Sequence, residues 1–163
     1  MDQPATTRLS GWGLNLRSDC VLREPELPGE VSSWMDRAGT IARGLGRSYG
    51  DAALNAGGQV LGLHRLDRYI SFDAATGVLA CEAGATLEQI IADFAPRGWF
   101  PMVTPGTKFV TVGGCIASSN RGSRTIVTSF GGTSTWGRLV FGRGITASDA
   151  GEGGRAASAA IAG

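Results

Sequence analysis

Ten residues constrain this chain more than any others: Ala42-Arg43-Gly44-Leu45-Gly46-Arg47-Ser48-Tyr49-Gly50-Asp51, which close the short apolar run Thr40-Ile41-Ala42. Glycine tolerates positive φ and lets the main chain approach a ligand closely. Successive N–H groups in such a loop form a concavity that favours phosphate. These residues therefore read either as a cradle for the phosphates of a nucleotide or as a surface turn without a ligand. The spacing is G-x-G-x-x-x-G, one residue longer than the G-x-G-x-x-G that opens the long helix of a Rossmann fold. The following Asp51-Ala52-Ala53-Leu54-Asn55-Ala56-Gly57-Gly58 breaks within two turns. No G-K-[ST] ends the loop, so a P-loop is excluded as well.

The flanking residues supply a small α/β unit. Residues 19–23 read as a strand. Val31, Trp34, Met35 and Ala38 follow the i, i+3, i+4, i+7 pattern of a helix face, with Gly39 where a C′ glycine ends it. Residues 40–42 and 59–63 complete the unit as short strands. A hairpin follows, Tyr69–Asp73 and Val78–Glu82 joined by Ala74-Ala75-Thr76-Gly77, with Ile70 and Phe72 alternating with polar neighbours. Thr86-Leu87-Glu88-Gln89 is a capping box that starts a helix over 87–95, whose apolar stripe is Leu87, Ile90, Ile91 and Phe94. Gly98-Trp99-Phe100-Pro101 resumes an extended chain.

A second loop, Thr104 to Gly114, opens on a Pro-Gly turn and ends in Gly113-Gly114 before the apolar Cys115-Ile116-Ala117. A glycine pair at a helix start lets main-chain donors meet a phosphate or a flat ring. Close helix packing uses glycine for the same steric reason, and both readings stay open.

Composition narrows the classes. The chain has 163 residues, 42% of them hydrophobic, enough for one domain with its own core. A net charge of +1 supplies no field for nucleic acid or an anionic membrane. Cys20, Cys81 and Cys115 form no C-x-x-C pair and read as buried thiols in a reducing compartment. The single His64 excludes a multi-histidine metal site, so no metal is expected. Met1-Asp2-Gln3-Pro4 is not a signal peptide and no apolar run reaches spanning length, so a cytoplasmic, soluble protein is expected.

Two such loops separated by a hairpin and a helix resemble the flavin-binding part of the p-cresol methylhydroxylase and vanillyl-alcohol oxidase superfamily. Within it the chain is most similar to bacterial FAD-linked oxidases of the decaprenylphosphoryl-β-D-ribose 2-oxidase type. Leu9-Ser10-Gly11-Trp12-Gly13, Ala42 to Asp51, Glu82-Ala83-Gly84-Ala85 and Thr104 to Gly114 carry the resemblance, in continuous order over residues 9–117. It implies an α+β, PCMH-type FAD-binding domain, incomplete here: a small α/β subdomain followed by the start of an antiparallel one. It implies FAD as cofactor, with Arg43, Gly44, Leu45, Gly46, Arg47 and Ser48 wrapping its pyrophosphate. Tyr49, Gly50 and Asp51 would continue that contact, Tyr49 near flavin and substrate. Gly106, Thr107, Thr111, Val112, Gly113 and Gly114 would line the other side. In such enzymes the flavin takes a hydride from a carbon bearing a hydroxyl, and the protein supplies placement and electrostatics. No catalytic residue is assigned. Cys115 reads as a small buried thiol.

The likeness fails after Ala117. The family continues with D-V-H-G-K-N-H-H, where this chain has Ser118 to Thr128 without a histidine. Ser129-Phe130-Gly131-Gly132 and Trp136 match again, around Thr133-Ser134-Thr135 where the family tends to H-V-D. The codons CAC GTC GAC for His-Val-Asp, read one base late, give Thr-Ser-Thr, and the hypothesis this suggests is a small insertion or deletion in the gene. The divisions expected are an N-terminal arm over 1–18, a partial FAD-binding domain over 19–117, and a divergent, poorly ordered tail over 118–163. The function expected is FAD binding as part of an oxidoreductase acting on a CH–OH group of a sugar or lipid-linked sugar, truncated or frameshifted and inactive alone. The alternatives are a stand-alone module for FAD or a phosphorylated ligand, completed by a second chain, and a remnant without ligand.

Overall fold

The computed structural model describes residues 5–35, 39–101, 104–117, 126–127 and 136–143. Two sheets organise them. In the first, β1 (Thr7–Ser10) runs antiparallel to β2 (Arg17–Arg23), and α1 (Pro28–Met35) crosses over to β3 (Thr40–Arg43). β4 (Gln59–Gly62) inserts between β2 and β3, parallel to both, with Gln59 opposite Val21 on one side and Thr40 on the other. As the strand covered from both sides it carries the fully buried Val60 and Leu61. Val31 of α1 closes over Leu61 and Leu66, with Trp34 and Leu63 half-buried beside them. The Glu30 carboxylate accepts the amides of Glu26 (2.8 Å) and Leu27 (3.0 Å) before the helix, and these bonds hold its pKa below the ordinary value.

The second sheet is antiparallel, in the order β5 (Tyr69–Asp73), β6 (Val78–Glu82), β9 (Trp136–Arg143), β7 (Trp99–Pro101), with β8 (Ile126–Val127) also on β9. α2 (Leu87–Phe94) packs Leu87, Ile90 and Phe94 onto Leu79, Cys81, Ala85, Val112 and Cys115. The Phe94 ring lies 4.8 Å from Phe72 and 5.6 Å from Tyr69, within the range of favourable aromatic pairs. The capping box forms in full: Thr86 Oγ1 accepts the Gln89 amide at 3.1 Å and Gln89 Oε1 accepts the Thr86 amide at 3.0 Å. The helix stops at Phe94, and a 3-10 turn over 95–97 ends on Gly98 at φ +81°.

The helices, the hairpin and the mixed α+β architecture fall where the residue patterns put them. Four local differences have physical causes. β2 begins at Arg17, because its pairing with β1 extends it, and β1 itself sits in the segment read as an arm. α1 starts at Pro28, a residue suited to the first helical turn. Its expected Ala38 lies outside the described residues. Ile70 is 58% exposed, because the β5–β6 register shifts between Tyr69 and Ser71 and makes Ile70 the extra residue. β9, for which the patterns gave no strand, pairs with β6, β7 and β8; it begins at Trp136, where the likeness to the family returns. The expectations for 118–125, 128–135 and 144–163 lie outside the described residues.

Candidate cofactor site

The glycine loop leaves the end of β3 and doubles back over the β1–β2 turn. Gly46 sits at φ +67° and Gly50 at φ +70°, conformations that side-chain-bearing residues seldom adopt. Arg43 folds underneath: its Nη1 donates to the Ala53 carbonyl at 2.8 Å and its Nη2 to the Ser10 carbonyl at 2.7 Å. A Cβ at Gly46 would fall onto that guanidinium, so the loop is draped over Arg43 at a point where only glycine fits. Partial burial lowers the Arg43 pKa, yet an arginine stays protonated. Arg43 is thus a brace inside the loop. Arg47 lies outside it, with Nη1 on the Leu45 carbonyl at 2.9 Å and its guanidinium carbon 5.0 Å from the Trp12 ring centroid. Tyr49 is 85% exposed.

The donors decide what this loop can do. Among the described residues, none of the amides of Leu45, Gly46, Arg47, Ser48, Tyr49 and Gly50 donates a hydrogen bond to the protein. Six successive free N–H groups turning around a left-handed glycine have the form of a nest able to accept an anion.

The second loop meets the first at one point. Thr111 is 2% exposed and bridges to Thr86. Its Oγ1 accepts the Gly114 amide at 3.1 Å, capping α3 (Val112–Ala117). A Cβ at Gly44 would fall inside contact distance of that same Oγ1, 3.2 Å from Thr111 Cγ2 and 3.3 Å from its Cβ. Gly44 and Thr111, remote in the chain, therefore touch.

The glycine pair beyond Thr111 resolves towards packing. The Val112 amide donates to Ala85 O at 2.8 Å and the Gly113 amide to Ala83 O at 2.8 Å. A Cβ at Gly113 would stand 3.0 Å from the Ala83 Cβ. With the Gly114 amide on Thr111, all three donors of this pair and its neighbour act within the protein. Gly106 and Thr107 point elsewhere. They line a cavity of about 430 Å³ together with Glu88, Ile91, Pro96, Phe100 and Lys108, and no residue of 44–51 borders it. The free donors, the positive charge of Arg47 and the Gly44–Thr111 joint outweigh this hollow as a site for an anion.

Nothing in the described core looks nucleophilic. Burial pushes the Cys115 thiol up to about 11 and the Cys81 thiol up to about 12. Among the described residues no cluster of three or more potential ligands is placed to hold a metal. The residues that the pattern of glycines could not reveal are the supports: Ser10 O, Ala53 O, Gly11 against the Gly50 carbonyl, and Trp12. Leu9-Ser10-Gly11-Trp12-Gly13 stood out as a motif, without a role.

A model of the FAD-binding domain family matches residues 27–147. The chain belongs to the FAD-binding domain family. Over 126 residues it is 40% identical to decaprenylphosphoryl-beta-D-ribose oxidase of Mycolicibacterium smegmatis, covering 73% of this chain and 27% of that protein. Over 77 residues it is 29% identical to D-lactate dehydrogenase of Anaerostipes hadrus, covering 47% and 16%. The chain spans about a quarter or less of these relatives. Among solved structures, cholesterol oxidase of Brevibacterium sterolicum superposes with a TM-score of 0.68 at 12% identity, over 85% of this chain and 37% of that one. Alkyldihydroxyacetonephosphate synthase gives 0.63 at 12%, over 80% and 33%. Both comparisons establish a shared fold. The PCMH-type fold and the FAD cofactor that the resemblance implied hold. Among the described residues no helix is long and apolar enough to cross a membrane.

Proposed function

We propose that the amides of Leu45 to Gly50, with Arg47 and the Ser48 hydroxyl, hold the pyrophosphate of FAD, and that Gly44 and Asp51 frame the two ends of this cradle. Tyr49 stands at its open rim. Thr111, Val112, Gly113 and Gly114 form the wall behind it, acting through close packing, while Gly106 and Thr107, which line the separate cavity, are left outside the pyrophosphate cradle. The six free donors beside the Gly44–Thr111 joint carry this reading, because they offer N–H groups to the oxygens of a diphosphate while Arg47 supplies a positive charge beside them. Bound FAD supplies hydride acceptance from a carbon bearing a hydroxyl. The chain's own residues bind and orient: Arg43 fixes the loop curvature and Arg47 supplies the counter-charge.

The oxidoreductase in this reading acts on a CH–OH group of a sugar or lipid-linked sugar, in line with the relative at 40% identity. Because these residues span 27% of that relative, substrate recognition is assigned to further polypeptide, in a partner chain or elsewhere in the same one. Equilibrating the purified chain with FAD, FMN or riboflavin and passing it through a desalting column tests the reading. Retained yellow colour with FAD but not riboflavin is expected, and Arg47→Met should weaken FAD by about tenfold, the worth of one charge-assisted contact. A colourless protein at saturating FAD would overturn it.

A further inference from the structure

We infer that Trp12 is a positioning residue for Arg47: its indole holds the guanidinium at the mouth of the amide cradle, so that the positive charge stands ready for a diphosphate. This rests on the reading of the cradle given above.

Trp12 is held by main-chain contacts that do not involve its ring. The Ser10 carbonyl is tied to Arg43 at 2.7 Å, Gly11 fits against the Gly50 carbonyl where no Cβ could stand, and the Trp12 amide donates to Ser48 O at 3.3 Å. These two bonds and one close approach fasten the end of β1 and the turn after it to the glycine loop and set the indole beside it. The ring remains 49% exposed, so burial of apolar surface does not account for a tryptophan there. What it meets is the Arg47 guanidinium, 5.0 Å from its centroid, within the reach of a cation–π contact.

Arg47 has little else to restrain it. Arg8, Arg65 and Arg68 each pair with a carboxylate, whereas among the described residues no carboxylate pairs with Arg47. One of its five N–H donors is engaged, by the Leu45 carbonyl. The others stay available for an anion, and the neighbouring free amides are on the same loop. A long side chain left mobile gives up rotamer freedom whenever it takes hold of a ligand. An indole that restrains it beforehand removes part of that cost, and the effect belongs to Arg47 alone.

A double-mutant cycle on the full chain tests this, with FAD affinity read by flavin fluorescence. Trp12→Ala and Arg47→Met are each expected to weaken FAD by about three- to tenfold, and the double variant to bind no worse than Arg47→Met. Trp12→Phe should recover most of the loss. Melting temperatures without ligand, expected to be close to wild type, show that the variants are folded. A ligand-free readout stands beside the cycle: the Arg47 Nε–H resonance, shifted by the indole ring current in wild type, should move to its random-coil position in Trp12→Ala. Independent, multiplying losses in the cycle, or an unshifted Arg47 resonance in wild type, would overturn the inference while leaving FAD binding intact. A wild-type chain that binds no FAD would remove the reading of the cradle, and this inference with it.

Discussion

Gly44→Ala probes the joint between the two loops. The added methyl would fall on Thr111 Oγ1, with Thr111 Cγ2 at 3.2 Å and Cβ at 3.3 Å. Thr111 is 2% exposed and has no room to swing outward. Rotating its hydroxyl away breaks the bond to the Gly114 amide and uncaps α3. Overpacking of this kind costs about 1–3 kcal/mol, and a lost N-cap adds about 1 kcal/mol. A total of about 3 kcal/mol corresponds to a melting temperature lowered by roughly 6–12 °C in a chain of this length. Thr111→Ala alone removes the cap and should cost about 1 kcal/mol. The combination Gly44→Ala/Thr111→Ala should be no less stable than Gly44→Ala, since the second change removes Oγ1 and Cγ2, the two nearest of the atoms the first runs into. Thermal unfolding followed by circular dichroism, without FAD, measures all three. Strictly additive losses, or a Gly44→Ala variant that melts within about 2 °C of wild type, would show that the loops do not meet at these atoms.

Glu82 tests the second sheet through pH. Burial pushes its carboxyl up, but the hydrogen bonds from the Arg68 side chain and amide, with the Arg68 charge, outweigh it and hold the pKa below its ordinary value of 4.5. A depressed folded-state pKa gives stability that is present above the unfolded value and lost as pH falls through the folded one. Melting temperature should therefore drop as pH is lowered below about 4.5, and Glu82→Gln should be less stable at pH 7 with a flatter acid limb; an unchanged acid limb would refute this. The thiols give a second check: Cys20, Cys81 and Cys115 should not react with a thiol reagent at pH 8 in the native chain, and all three should react in denaturant. Rapid labelling of Cys81 in the native state would contradict its burial.

Much of the fold was legible because its signals are local. Thr86 and Gln89 lie three residues apart and cap each other, and Leu87, Ile90 and Phe94 repeat at the helical period, so α2 follows from spacing alone. Ile70 could not be read that way. Its exposure comes from a bulge set by pairing with β6, a non-local event invisible in the run Tyr69-Ile70-Ser71-Phe72. β1 and β9 are strands for the same kind of reason: each is completed by partners, and neither has a strong alternation of its own. At the site, the first loop stood out as a candidate cradle because glycine, arginine and serine occur together in one stretch. Its braces did not, since Arg43 reaches the carbonyls of Ser10 and Ala53, and a carbonyl has no signature in sequence.

The two glycine motifs put the same residue to opposite uses, and only three-dimensional context separates them. Gly46 needs its missing side chain for a positive φ over Arg43, and the turn it permits leaves its own amide and its neighbours' free. Gly113 needs it to approach Ala83, and the approach ties its amide to the Ala83 carbonyl. Gly84 follows the second pattern: a Cβ there would meet the Leu66 carbonyl at 2.7 Å, and its amide already donates to that oxygen at 2.7 Å. What Gly113 and Gly84 approach is main chain, whose carbonyl takes up the amide, whereas what Gly46 approaches is the Arg43 guanidinium, which has donors only and leaves the Gly46 amide without an acceptor. The free donors of the proposed site are thus concentrated in Leu45 to Gly50, while Gly113 and Gly84 pack against Ala83 and against Leu63 and Leu66, and Thr111 meets the start of the first loop at Gly44. Substitutions on the first loop's outer face should alter affinity with little change in melting temperature, and substitutions at the packed glycines should lower both together.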